Sequence, residues 1–218
     1  MAYLEGRFVN LRTGRVYPDY DDCKCKCKPF DIGAEYVIMV GQDLNSGFSK
    51  AAAIIKKDKR LYIVRGWSFE DIGTAPAKMR ATYPHHRILW YPDCSGKEIL
   101  RGYRDEIIEQ GIECRIGSVN PRIIDRVFYV NKLFRMGLLY VLDTRETDIV
   151  SEALKTRQYA ENGMPEKGKG EDAPDHICDA IEYVIYRIVR SDADFLNLKD
   201  LSRENVKENG YLQIVGKN

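Results

Sequence analysis

The chain has 218 residues, 44% hydrophobic and 31% charged, with 34 Lys and Arg against 33 Asp and Glu. That is material for one sizeable core, a single domain or a domain with appendages, and a net charge of +1 excludes capture of an anionic partner by the field of the whole molecule. No run of about 18 apolar residues occurs and residues 1–10 lack a basic start followed by an apolar stretch, so neither a membrane span nor a signal peptide is predicted, and a reducing cytoplasm is.

The first notable segment is "CKCKC", Cys23 to Cys27. Strand geometry would point its three thiols to one face. Structural zinc needs four converging ligands and no second Cys pair of the right spacing exists, so an exposed basic loop is the simpler reading. Cys94, Cys114 and Cys178 sit in apolar stretches and read as small buried hydrophobes. "YVIMVGQD", Tyr36 to Asp43, is a buried strand that ends on an acid. "FSKAAAIIKK" and "RLYIVRGWSF", joined by a polar turn around Asp58, complete an antiparallel meander of three strands. A short helix follows, and "RILWYPD" is a fourth strand that again ends on an acid, Asp93.

"GKEILRGYRDEIIEQG" predicts a helix stopped by Gly111, and "IECRIGS" a fifth strand. "NPRIIDRVFYVNKLFRMG" predicts a helix with Asn120 as N-cap and Pro121 at its first position, closing at Gly137. "LLYVLD" is a short strand and "TRETDIVSEALKTRQYA" a helix with a capping start. The Gly- and charge-rich stretch from Glu161 to Glu171 reads as a mobile loop. Ile177, Ile181, Val184, Ile185 and Ile188 recur at helical spacing, so residues 173–190 predict an amphipathic helix packed on a sheet. The fold class is therefore α/β, a mixed sheet flanked by helices. Residues 1–35 form a lead-in with the Cys-rich loop, 36–190 the main domain and 191–218 a tail with a strand-like "YLQIV".

Asp175 and Asp179 lie four apart on that last helix, about 40° apart in projection and opposite the isoleucine stripe. Asp175 has an alternative role: Asp172 fits the N-cap, and a carboxylate in the first turn favours the helix dipole. Asp179 lies past that turn, where capping explains nothing. Asp43 and Asp93 each end a strand, and strand ends of one sheet meet at one edge. Carboxylates converging there raise one another's pKa values unless a cation neutralises them. Magnesium or manganese suits such oxygen ligands. The hypothesis is that Asp43, Asp93, Asp175 and Asp179 hold two divalent ions about 4 Å apart for phosphodiester hydrolysis. His176 is a ligand, a proton shuttle or a polar neighbour; pointing about 100° from Asp175, it is favoured as the neighbour, in an outer position around the site.

The order of strands and acids resembles the RNase H-like nucleases, and local motifs narrow the likeness. "EGRFVNLRTGRVYPDYD" resembles the segment leading into the nuclease domain of a tailed-phage terminase large subunit. "QDLNSGFSKAAAII" is similar to its first acidic strand, "WYPDCSGKEIL" to its second acidic motif, "GSVNPRIIDRVFYVNKLFRMGLLYV" to the segment before its third, and "DHICDAIEY" to its D-H-x-x-D-A ending. The resemblance implies Asp43, Asp93 and Asp175 or Asp179 as metal-binding acids and concatemeric viral double-stranded DNA as substrate. It also implies, as partners, the terminase ATPase domain, the small terminase subunit and the portal, in the host cytoplasm. No G-x-x-x-x-G-K-[ST] loop occurs, so the chain is expected to be a nuclease half without the packaging ATPase.

Lys50, Lys97, Arg101, Lys167 and Lys169 flank the acidic motifs as candidate phosphate contacts, and the loop from Glu161 to Glu171 is a candidate DNA clamp. Two other readings compete. A Holliday-junction resolvase or RNase H-type enzyme uses a similar acidic cluster on branched or hybrid substrates. A non-catalytic metal- or nucleic-acid-binding module would leave the acids as caps and solvated groups, but gives no reason for acids to end two strands.

Overall fold

The computed structural model describes residues 3–4, 7–8, 14–95, 97–168 and 170–191. Its strands are β1 (Tyr3–Leu4), β2 (Arg7–Phe8), β3 (Lys26–Cys27), β4 (Ile38–Leu44), β5 (Ser49–Lys57), β6 (Arg60–Phe69), β7 (Ile88–Pro92), β8 (Glu113–Cys114) and β9 (Leu139–Leu142). Its helices are α1 (Asp22–Cys25), α2 (Ala75–Thr82), α3 (Lys97–Glu109), α4 (Ile123–Arg135), α5 (Asp148–Thr156) and α6 (Pro174–Ser191). β1 and β2 pair with each other, and the other seven strands form one mixed sheet in the order β3-β9-β6-β5-β4-β7-β8. The chain divides into two compact units, residues 1–186 and 187–218, and of the second only the last turns of α6 are described.

The meander is as expected: β4, β5 and β6 are antiparallel neighbours. Asp58 and Lys59 both have positive φ, the backbone that a mirror-image two-residue hairpin turn requires. β7, β8, β9 and β3 then add in parallel on the two sides of the meander. The two faces of the sheet are covered by different helices. Ile38, Val40, Ala51, Ala53 and Trp90 pack with Ala75 and Met79 of α2 and with Leu100, Tyr103 and Ile107 of α3. On the opposite face α6 comes so near β4 that a Cβ on Gly41 would sit 1.8 Å from the Ala180 carbonyl oxygen, so only glycine permits the approach.

Several expectations are corrected. "CKCKC" is not a strand with aligned thiols: Asp22–Cys25 is a one-turn helix capped by Asp21, Cys25 is buried and Cys23 exposed. Nor is it simply a loop, because Lys26–Cys27 pairs with β9 as the edge of the sheet. Cys114 is only half-buried, and the fifth strand is two residues long. α4 begins at Ile123, not Pro121, because the Asn120 side chain is engaged elsewhere. The stretch 158–168 is tied back on itself: Tyr159 bridges Pro165, Glu166 N donates to Gln158 O at 2.9 Å, and Ala160 N donates to Met164 O at 2.9 Å. α6 forms where the isoleucine spacing places it, but its polar side is covered too: from Ile177 to Ile185 every residue is buried, acids included. "YLQIV" and Lys169 lie outside the described residues, as does the side chain of Lys97.

Candidate functional site

β4 is apolar until Gln42, and the pleat sends its last side chains to opposite faces. Gln42 turns toward α3 and is fully engaged there. Trp90 Nε1 donates to Gln42 Oε1 at 2.7 Å, and Gln42 Nε2 donates to Ser49 Oγ at 2.8 Å and Tyr103 Oη at 3.1 Å. Asp43 therefore faces α6. Gln42 is opposite Pro92 in the parallel β4–β7 pair, and Asp93 N donates to Gln42 O at 2.8 Å. Asp93 thus follows beside Asp43 at the carboxyl ends of adjacent parallel strands, the edge at which open α/β sheets bind ligands.

All four sequence-predicted acids are buried: Asp43 is 6% exposed, Asp93 9%, and Asp175 and Asp179 3% each. Each is met by protein donors. Ser95 donates to Asp93 through its amide at 2.7 Å and through its hydroxyl, and Asn120 Nδ2 also donates to Asp93 Oδ1. Asn120 Oδ1 accepts from Cys94 N at 2.8 Å, so this residue fixes the Asp93 loop instead of capping α4. Asn45 Nδ2 donates to Asp43 Oδ2 at 2.9 Å, and so does His176 Nδ1, also at 2.9 Å.

His176 Nε2 faces the Gly170 carbonyl at 3.1 Å. Both ring nitrogens thus address acceptors, an arrangement that only the imidazolium satisfies in full. Its pKa is raised accordingly, first by the Asp43 hydrogen bond. His176 is therefore more than a bystander: its ring is hydrogen-bonded to Asp43. Burial pushes the Asp43 carboxyl up, His176 pulls it down, the charge of Asp179 pushes it up again, and Asn45 lowers it, with a net rise. Burial is the largest of these influences.

Asp179 Oδ1 accepts from Arg157 Nη2 at 2.9 Å, while Oδ2 lies 3.7 Å from Arg126 Nη2 and 3.8 Å from Lys167 Nζ. One turn on, the buried Tyr183 hydroxyl is raised first by desolvation, opposed by Arg126, and then by the charges of Asp179, Asp93 and Asp43. Asp175 points elsewhere, its Oδ1 accepting from Gly168 N at 3.2 Å.

Among the described residues, no group of three or more His, Cys, Asp or Glu stands together so as to hold a metal ion as placed. The donor chemistry nonetheless fits a hard divalent cation, since the acids offer only oxygen and burial pushes the Asp43 carboxyl up, a rise that a bound cation would oppose. Sequence reasoning missed Arg126 and Arg157, which face Asp179, and Tyr17 and Glu182, which bond to Arg157 behind it, as well as Asn45 and Asn120. The one signal for Glu182 was its place a turn beyond Asp179 on α6. Of the candidate phosphate contacts, Lys50 is buried with Nζ on Ser68 Oγ at 2.5 Å and so is turned away from solvent. Arg101 is exposed and lines a cleft beside Cys94 with Arg104 and Ser118. The Lys167 side chain is 71% exposed.

A mixed sheet whose meander and parallel strands carry acids at one edge beneath a helix is an RNase H-like fold. The chain has, more particularly, the fold of large terminase nuclease domains. It is similar to the large terminase of a thermophilic bacteriophage, with a TM-score of 0.66 at 14% identity over 86% of this chain and 48% of that one, so it spans about half of that terminase's length. It is similar to the P22 large terminase nuclease domain, with a TM-score of 0.61 at 15% identity over 81% of this chain and 97% of that one. It is also similar to the large terminase nuclease of thermophilic phage G20c with bound magnesium, at 0.55 and 13% over 80% and 97%. No family model and no curated protein matches the sequence.

Proposed function

We propose that this chain is a divalent-metal-dependent endonuclease that cuts concatemeric viral double-stranded DNA during genome packaging. One observation carries the reading: Asp43 and Asp93 end neighbouring parallel strands under α6, where Asp179 is near enough to oppose ionisation of Asp43. Structures of the G20c large terminase nuclease with bound magnesium and with bound cobalt support the use of a divalent ion. Asp43, Asp93 and Asp179 would hold two magnesium or manganese ions, with Asp175 beside them on the loop side. Two such ions supply an activated water and charge stabilisation of the leaving oxygen.

The chain's own residues hold that constellation in place. His176 and Asn45 fix the rotamer of Asp43. Ser95 and Asn120 aim Asp93. Arg101 and Lys167, exposed on either side, would meet phosphates of the duplex. The packaging ATPase, the small terminase subunit and the portal would be its partners in the host cytoplasm. Among the described residues no helix is long and apolar enough to cross a membrane.

The test is metal removal. Linear duplex and plasmid DNA should be cut in manganese, spared in excess chelator, and cut again on adding magnesium or manganese. Four-way junctions and RNA–DNA hybrids should be poorer substrates. Cleavage that persists in chelator, or a preference for junctions or hybrids, would refute this reading.

A further inference from the structure

We infer that Tyr17, Glu182, Arg157 and Arg126 form a positioning relay that presents Oδ2 of Asp179 to the proposed cation; the inference rests on the nuclease reading above. Glu182 is fully buried one turn past Asp179. Its Oε1 accepts from Arg157 Nη1 at 3.0 Å and from Tyr17 Oη at 2.5 Å, and its Oε2 lies 3.5 Å from Arg126 Nε. Arg157 carries the link onward, donating Nη2 to Asp179 Oδ1 at 2.9 Å. Arg126 faces both acids as well and stacks over Tyr183, its guanidinium carbon 4.4 Å from the ring centroid.

Two arginines and two acids make a buried quartet, in which burial pushes the Glu182 carboxyl up to about 7. Burying such a quartet gains little stability over an apolar set of the same volume. What it does supply is orientation. Arg157 takes Oδ1 of Asp179 in a charge-assisted hydrogen bond, which fixes the carboxylate plane. Among the described residues, Oδ2 is met at 3.7 Å by Arg126 and 3.8 Å by Lys167, ion-pair distances too long for hydrogen bonds, and is the oxygen that a cation would take.

The relay is anchored outside the helix. Arg157 O accepts from Val16 N at 2.9 Å, and the next residue, Tyr17, is the one that bonds Glu182. Residues 16 and 17 thus hold both the main chain of Arg157 and the acid that aligns its side chain. The segment ahead of the sheet is connected to Asp179 through this chain of hydrogen bonds. Partners placed behind a metal ligand set its orientation and commonly change metal affinity or rate about 10–100-fold when lost.

The experiment titrates manganese alone into the full chain by calorimetry and measures kcat and KM for linear duplex cleavage, for the wild type, Asp43→Asn, Tyr17→Phe and Glu182→Gln. Tyr17→Phe removes one hydroxyl and keeps the ring, so it covers the case in which Glu182→Gln fails to fold. The expected result for Tyr17→Phe is manganese affinity and kcat both lower by about tenfold, with KM for DNA within about twofold of wild type. Wild-type affinity and kcat in folded Tyr17→Phe, beside an Asp43→Asn that has lost both, would overturn the relay and leave the nuclease reading intact. A wild type that binds no manganese and cuts no DNA would overturn both.

Discussion

Asp179→Asn is expected to lose cleavage and stability together, whereas Asp43→Asn loses cleavage alone. Both remove a proposed metal ligand, so each should lower duplex cleavage by more than the roughly 100-fold that an outer partner's loss costs. The stabilities differ because the two acids sit in opposite electrostatic settings. Burial, with the nearby charge of Asp179, raises the Asp43 carboxyl. A group with a raised folded pKa favours the folded state only while protonated, and at neutral pH its charge works against folding. Asparagine relieves that charge and still accepts from His176, so the melting temperature should scarcely move.

Asp179 sits instead among buried guanidiniums. It shares Arg157 and Arg126 with Glu182, and neutralising it leaves two buried guanidiniums facing one acid. Breaking a buried pair in this way costs about 3–5 kcal/mol, or roughly 6–20 °C in melting temperature at this chain length. Asp175→Asn keeps the oxygen that accepts from Gly168 N and should do far less to either quantity. Cleavage assays beside thermal melts check all three. Equal destabilisation by Asp43→Asn and Asp179→Asn would contradict the assignment.

Gly41→Val should be the most damaging single change in the sheet. Its Cβ would lie 1.8 Å from the Ala180 carbonyl oxygen and 2.7 Å from Val184 Cγ2, so either β4 or the backbone of α6 must give way. Overpacking against a rigid backbone costs about 3 kcal/mol or more. The same close approach places α6 against β4, so whatever protein still folds should have Asp179 displaced from Asp43 and little cleavage. A Gly41→Val protein that melts and cuts like the wild type would mean that α6 does not lie where the fold places it.

Much of this arrangement is legible in the sequence, and the physics explains which parts. A strand that stays apolar for its whole length and then ends on Asp43 or Asp93 reads the same in one dimension as in three. The meander was equally legible because its turn chemistry is local. The surroundings of Asp179 were not. The polar side of α6 looks like a solvated face in sequence, and only the fold shows that Arg126 and Arg157 cover it. Asn120 was read as a helix cap because an amide that caps and an amide that binds a distant carboxylate are the same residue. His176 was placed correctly on the helix, but its partner Asp43 comes from a strand far away in the chain. The lead-in segment gave no periodic signal, yet Tyr17 and β3 make it part of the site's support and the sheet's edge.

The most direct measurement is a crystal of this protein soaked in manganese. The account predicts anomalous density between the carboxylates of Asp43, Asp93 and Asp179, on the Oδ2 side of Asp179. Density at the Cys23–Cys27 segment only, or none near those three acids in a crystal that binds manganese, would contradict it.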